Sequence, residues 1–246
     1  SRANRVARVL ATRIDMALGQ VLEIFSRRDD YDHVLAWSDR LGLPLALLLK
    51  LRNTRRDVTM VSTWATRSRK REFMKGFKVH THLRAICARS LQAELMEKQL
   101  DVPRGKLQVE PRGVDDRFWR PHPGPTDNLL CAVGWEARDY KTLINAVRGL
   151  DIQAELAVGA IAKPLLGMTS GPVAASMREL AGEGLPDNVI LTQRPPRELR
   201  ALVARSRFVV VPVQDVEFDA GVTALTEAMA MGKPVIATRT PGIRDL

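Results

Sequence analysis

The sequence predicts an α/β protein made of two Rossmann-like domains, over residues 1–123 and 124–246. Three observations carry the prediction. Residues 129–238 alternate short apolar runs with amphipathic runs of helical period, joined by short connections. That is the pattern of a parallel sheet covered by helices on both faces. Residues 32–113 repeat the rhythm more loosely, and between the two stretches lies PHPGPTD (121–127), whose Pro and Gly content is that of a hinge. A chain of 246 residues is long enough for two cores.

Taken in order, the chain opens in RANRVARVLATRIDMAL, which reads as helix. DHVLAW (32–37) is a predicted strand, followed by SDRLGLPLALLLKL, a predicted helix with Ser38 as its N-cap. DVTMVS (57–62) is a strand, and FKVHTHLRAICARS (77–90) holds a strand and a turn. LQAELMEKQL is an amphipathic helix, and GKLQVEPRG (105–113) runs as strand into Gly. In the second half LLCAVG (129–134), ELAVGA (155–160), NVILTQ (188–193), FVVVPV (208–213) and PVIAT (234–238) are apolar runs of strand length. TLINAVRGL (142–150), MRELAGEGL (177–185), RELRALVARS (197–206) and TALTEAMAMG (223–232) are the helices between them.

Composition narrows the function classes. Hydrophobic residues make up 45% and charged residues 27%, the proportions of an ordinary globular protein. The longest apolar stretch, LGLPLALLLKL, is too short to cross a bilayer and is broken by Pro44 and Lys50. Cys87 and Cys131 are too few for a disulfide framework or a zinc site, so a reducing, cytoplasmic setting is expected. The opening directly in a helix and the stop just after a strand lead to the expectation that parts are missing at both ends. The net charge of +10 is uneven. Residues 1–123 hold 25 Lys/Arg against 14 Asp/Glu, a balance of +11, and residues 124–246 hold 13 against 14, a balance of −1. The excess is densest in RSRKREFMKGFK, where Arg67, Arg69, Lys70, Arg71, Lys75 and Lys78 are set against Glu72 alone. A negatively charged partner is expected for that half, with an amphipathic dip of Phe73, Met74 and Phe77 into a membrane interface as one form of it. A plain solvated helix face, with the three apolar residues on the core, is the rival reading.

The chemistry gathers near the end. In open parallel sheets, ligands bind outside the C-terminal ends of the strands. QDVEFDAGV (214–222) leaves the C-terminal end of a predicted strand and runs into a helix. Gly221 lets the backbone approach a ligand closely. Residues Gly221, Val222 and Thr223 open the helix, whose N–H groups and dipole favour a phosphate. Glu227 lies one turn in, on the face of Thr223, too deep to cap the helix and placed to accept from the paired hydroxyls of a ribose. Asp219 stands just ahead, positioned for hydroxyls of whatever the phosphate carries. The frame fits a nucleotide-linked sugar.

The stretch DAGVTALTEAMAMGKPVIAT (219–238) resembles the E-x7-E signature of GT-B retaining glycosyltransferases of the family-4 type (glycosyl transferases group 1). VPRGKLQVEPRGVDDRFWRP (102–121) resembles the linker of the same family, with Gly113, Val114, Asp115 and Phe118 in register, and CAVGWEARDYKTLINAV its Gly-basic-helix segment. The resemblance implies two domains facing a cleft, with acceptor in the first and nucleotide-sugar donor in the second. It implies transfer with retention and without a metal or other cofactor. By resemblance Arg138 and Asp219 are the catalytic residues, Arg138 neutralising the departing diphosphate. Lys141, Ala220, Gly221, Val222, Thr223 and Glu227 would bind the donor. The first acidic position is Asp rather than Glu, and Trp135 stands where the family often has a base, so the site is one cation short unless Lys141 replaces it.

Other signals point elsewhere. The pairs Asp215/Glu217, Asp29/Asp30 and Asp115/Asp116 resemble a metal-binding D-x-D but lack further ligands, and solvated carboxylates are the favoured reading. His80 and His82 read as ordinary loop or strand histidines for want of a third partner. Trp37 and Trp64, near strand ends, line an acceptor cleft or pack in a core. The rival functions are a sugar-nucleotide epimerase or hydrolase of the same fold, and a basic membrane- or nucleic-acid-binding module with an inactive donor pocket. The basic cluster lacks the interleaved aromatics that stack bases, so nucleic acid is the less expected partner. The expected acceptor is a sugar, a lipid-linked species or a small molecule, with peripheral attachment to the inner membrane face expected for the lipid-linked one.

Overall fold

The computed structural model describes residues 16–111, 113–160 and 184–243. The predicted helix at 177–185 falls almost wholly outside them, as does most of the opening one. Two compact units divide between Pro111 and Arg112. The sequence expectation set this division after residue 123. The local contacts account for the earlier one: Arg200 of the second unit donates to the Phe118 carbonyl at 3.2 Å and lies 4.8 Å over its ring. Phe118 meets Trp119 edge-on, and Trp119 is buried. The Asp115 carboxylate accepts from the N–H groups of Arg117 and Phe118, which fixes the turn that presents them.

The first unit runs α1 (Met16–Ser26), β1 (His33–Ala36), α2 (Asp39–Leu51), β2 (Asp57–Val61), α3 (Ser68–Phe77), β3 (Ala85–Ala88), α4 (Ser90–Leu100) and β4 (Leu107–Val109). The four strands form one parallel sheet in the order β1-β2-β3-β4. Val58, Met60 and Ile86 from the strands meet Leu45, Leu49 and Met96 from the helices in one core. Each such side chain contributes about 1.5–3 kcal/mol by leaving water. Gly42 lets α2 settle on β2, since a Cβ there would meet the Met60 side chain at 2.5 Å.

The helix α3 was not assigned from sequence, because its charges mask the buried stripe. Met74 has no exposure and Phe73 packs against the core, 5.0 Å from Phe77, which is half exposed. Of the two readings, a dip of Phe73, Met74 and Phe77 into a membrane and their packing on the core, the second holds for Phe73 and Met74, while Phe77 is left half exposed. The charges differ too. Lys70 pairs with the buried Asp39 at 2.8 Å and Arg71 with Glu72 at 3.3 Å, while Arg67 lies 5.3 Å over Trp64.

The second unit runs β5 (Leu129–Val133), α5 (Tyr140–Val147), β6 (Gln153–Ala160), β7 (Val189–Arg194), α6 (Pro196–Arg205), β8 (Phe208–Val211), α7 (Val222–Ala230) and β9 (Val235–Ala237). Its five strands are parallel in the order β7-β6-β5-β8-β9. The order reverses between β5 and β8, with β6 on one side and β8 on the other. Such a switch point, outside the C-terminal ends of the strands, is where ligands bind in open parallel sheets. Every element predicted within the described part of this unit is present, with ends shifted by up to three residues. Leu130, Leu143, Ile144 and Leu156 form its core.

Candidate functional site

The loop after β5 and the loop after β8 meet over the switch point. Gly134 and Gly221 are both in the left-handed region, at φ +103° and +88°. Both lie against Arg138. A Cβ on Gly134 would overlap the Arg138 guanidinium, and one on Gly221 would come within 3.7 Å of it. The same Cβ on Gly221 would press on Val211 and Val213 at 2.8 and 2.9 Å. Only glycine lets these two backbones close on one cation.

Arg138 is held from several sides. Its Nε donates to the Val133 carbonyl at 3.0 Å and its Nη1 to the Glu136 carbonyl at 2.9 Å. Its backbone forms an antiparallel bridge with Val213, flanked by Asp139 N to Pro212 O at 3.0 Å and Gln214 N to Ala137 O at 2.9 Å. Tyr140 donates through its hydroxyl to the Gly134 carbonyl. Burial lowers the Arg138 pKa from its ordinary value, yet a guanidinium stays charged in any working range. A partly desolvated cation is thus fixed at the C-terminal edge of the sheet.

The helix α7 begins beside it. Gly221 is its N-cap, and the Asp219 carbonyl accepts from Val222 N at 3.3 Å. The amides of Gly221, Thr223 and Ala224 have no backbone acceptor among the described residues, so they present N–H groups at the helix N-terminus. Ala220 and Val222 are buried and act through their backbone, while Thr223 is exposed. Asp219 is 9% exposed. Behind it the 3₁₀ turn Pro241–Ile243 presses on the loop, and a Cβ on Gly242 would overlap the Phe218 carbonyl.

Glu227 lies in the second turn of α7. It is half-buried, and burial raises its carboxyl to about 7. It makes no ion pair among the described residues. A carboxylate in that condition is a disfavoured anion until something donates to it.

The structure therefore brings together Arg138, Gly221 and the start of α7, with Asp219 and Glu227 on the same two elements. Lys141 is exposed in the first turn of α5. Sequence reasoning missed the bracing of the first loop by Tyr140 and the pressure of Gly242 on residues 218–219; Trp135, singled out from sequence, is half exposed. A Gly at the end of an apolar strand was the only sequence signal for the first of these. His80 is buried in the 3₁₀ turn Val79–His82, and its Nδ1 has no partner among the described residues.

Structures with the same fold are known. Sucrose-phosphate synthase from Thermosynechococcus elongatus superposes with a TM-score of 0.71 at 18% identity, over 93% of this chain and 62% of that one. Anabaena Alr3699/HepE in complex with UDP and glucose gives 0.70 at 15% identity, over 92% and 64%. The same protein in complex with UDP-glucose gives 0.70 at 15%, over 96% and 66%. These likenesses are of fold, which is α/β with the Rossmann-like domains of the GT-B class. The chain spans somewhat under two thirds of the length of those proteins. No curated protein matches it. A family model described as glycosyl transferases group 1 matches residues 131–246, the stretch that contains Arg138, Asp219 and Glu227. The likeness of that segment, just under half of the chain, is to glycosyl transferases group 1.

Proposed function

We propose that the chain belongs to a glycosyltransferase that takes a sugar from a nucleotide-sugar held at the second unit and transfers it with retention, without a metal. One observation carries this reading: a partly desolvated Arg138 and the N-terminus of α7 converge through Gly134 and Gly221, and Glu227, without an ion pair among the described residues, stands one turn further in. The diphosphate sits between the cation and the helix amides, where both stabilise the charge that grows as the glycosidic bond breaks. Ala220, Gly221, Val222 and Thr223 supply that backbone. Glu227 accepts from the ribose hydroxyls, Asp219 faces the sugar, and Lys141 adds charge at the rim. The UDP and UDP-glucose named with Anabaena Alr3699/HepE support a nucleotide-sugar as the donor class.

The acceptor is a sugar, lipid-linked or small molecule brought by the first unit. The basic excess of residues 1–123 fits a cytoplasmic enzyme resting on an anionic membrane surface. No helix among the described residues is long and apolar enough to cross a membrane.

The test is calorimetry with nucleoside diphosphates and their sugars. Glu227→Ala is expected to weaken binding by about 1–3 kcal/mol, the scale of hydrogen bonds to a charged group. Affinity unchanged by that substitution would remove Glu227 from the site and the reading with it.

A further inference from the structure

The loop that holds Arg138 spends its polar groups inward. The carbonyls of Val133 and Glu136 accept from the Arg138 guanidinium, and that of Gly134 from the Tyr140 hydroxyl. The amide of Gly134 donates to the Ala157 carbonyl at 3.1 Å, and the Ala137 carbonyl accepts from Gln214 N. Ala137 sits at φ +50°, a conformation that a non-glycine residue keeps only when its surroundings impose it. The loop is braced by these bonds, and apart from the Glu136 carboxylate what it presents to solvent is an indole. Trp135 is 49% exposed.

An aromatic ring of this size usually recovers its apolar area by packing. Here it is held out from the fold on a braced loop, directly after Gly134 and three residues before the cation. We infer that Trp135 is the stacking platform for the sugar ring of the donor, a residue that positions and selects the transferred group. This rests on the nucleotide-sugar reading given above. The diphosphate lies at Arg138 and Gly221, and the ribose lies inward at Glu227 on α7. The group on the other phosphate lies toward the β5 loop, where the indole is. A pyranose offers a face of C–H groups to a π-system and ring hydroxyls to a carboxylate such as Asp219. A nucleobase would stack equally well on an indole. The placement of Glu227 leaves the base on the far side of the ribose from Trp135.

The experiment separates these by subtraction. Calorimetry is run on the wild-type chain, Trp135→Ala and Trp135→Phe, with UDP, GDP and ADP set against UDP-glucose, GDP-mannose and ADP-glucose. For the pair that binds, Trp135→Ala is expected to weaken the nucleotide-sugar about three- to tenfold, the scale of one stacked ring. The matching nucleoside diphosphate should change by less than about twofold, and Trp135→Phe should keep most of the affinity. The variants should melt with the wild type, since the loop is braced through backbone, Arg138 and Tyr140. Equal losses for diphosphate and nucleotide-sugar would mean that the indole serves the base or the loop, and would overturn the inference. So would equal affinities in all three proteins. If neither diphosphates nor nucleotide-sugars bind the wild type, the donor reading fails first and this inference falls with it.

Discussion

The two units place their charges in opposite ways. In the second, the charges that matter are drawn inward. Glu155 has no exposure and is gripped by Arg194, by Arg205 at 2.8 Å and by the Thr192 hydroxyl at 2.8 Å, while Arg138 is desolvated at the sheet edge. In the first, most ion pairs lie on the surface, as between Arg27 and Asp30 or Arg84 and Asp57. Exposed pairs contribute about 0–1 kcal/mol, whereas a buried charge fixes geometry because it cannot be left unmatched. Net charge does not mark where charge is buried: residues 124–246 balance to −1 yet hold the partly desolvated Arg138.

The contrast is broken most severely at Arg138. On the proposed reading, Arg138→Ala removes the charge that faces the leaving diphosphate, an interaction strongest in the transition state. Turnover is expected to fall about 10²–10³-fold, with the donor Michaelis constant changing far less. Steady-state kinetics with donor in excess measures it. Loss confined to the Michaelis constant would make Arg138 a binding residue only.

Next in size is a substitution outside the predicted site. Gly242→Ala places a Cβ against the Phe218 carbonyl and within 3.2 Å of the Asp219 amide. Backbone must move, at about 2–3 kcal/mol. Both melting temperature and donor affinity should drop, because the displaced segment leads into α7. Gly105→Ala in the first unit, where nothing lies within 4 Å, is the neutral control.

Glu227 gives a pH signature. Its carboxyl is raised to about 7 by burial, so the folded state holds the proton more tightly than the unfolded chain does. The stability this contributes is complete below about 4.5 and is lost as pH rises through about 7. The span is about 2 kcal/mol after allowance for partial exposure. Subtracting the melting curve of Glu227→Gln isolates it from His80, whose lowered pKa acts in the opposite direction as pH falls. Donor binding should reverse the trend, since ribose hydroxyls favour the ionised form. A difference curve flat from pH 4.5 to 7 would show that the carboxyl is solvated.

What could be read from sequence follows from the range of each interaction. Strands and helices are written in local periodicity, so FVVVPV and TALTEAMAMG were readable, and with them Gly221 and Glu227. Arg138 and Gly221 are far apart in the chain, and their closeness depends on the strand order β5-β8. No local pattern encodes that order, and only the family resemblance singled out Arg138. The grip of Gly242 on residue 218 is a backbone contact that any glycine could make. In α3 the failure was one of masking. Six cations hid a stripe formed by Phe73 and Met74, and the buried Asp39, thirty-one residues before Lys70, decided which of those cations was structural.

That last point yields the smallest effect and divides one helix in two. Lys70 is tied to Asp39, whose side chain is 2% exposed and whose second oxygen has no partner among the described residues. Lys70→Ala strands that carboxylate and should destabilise the chain by about 1–2 kcal/mol, less than for a fully buried pair because Lys70 is partly exposed. Arg69, Lys75 and Lys78 are exposed. Changing each to Ala should move stability by no more than about 0.5 kcal/mol. If the basic half docks on a membrane, these three are its working charges, each contributing about 1 kcal/mol at an anionic surface. The triple variant should then keep its melting temperature and lose sedimentation with phosphatidylserine vesicles. The wild type should sediment at low salt and be released as salt rises, because the attraction is screened within about 10 Å at 0.1 M. A wild type that stays in the supernatant at low salt ends the membrane reading and leaves α3 as a solvated face, with Lys70 its one structural charge.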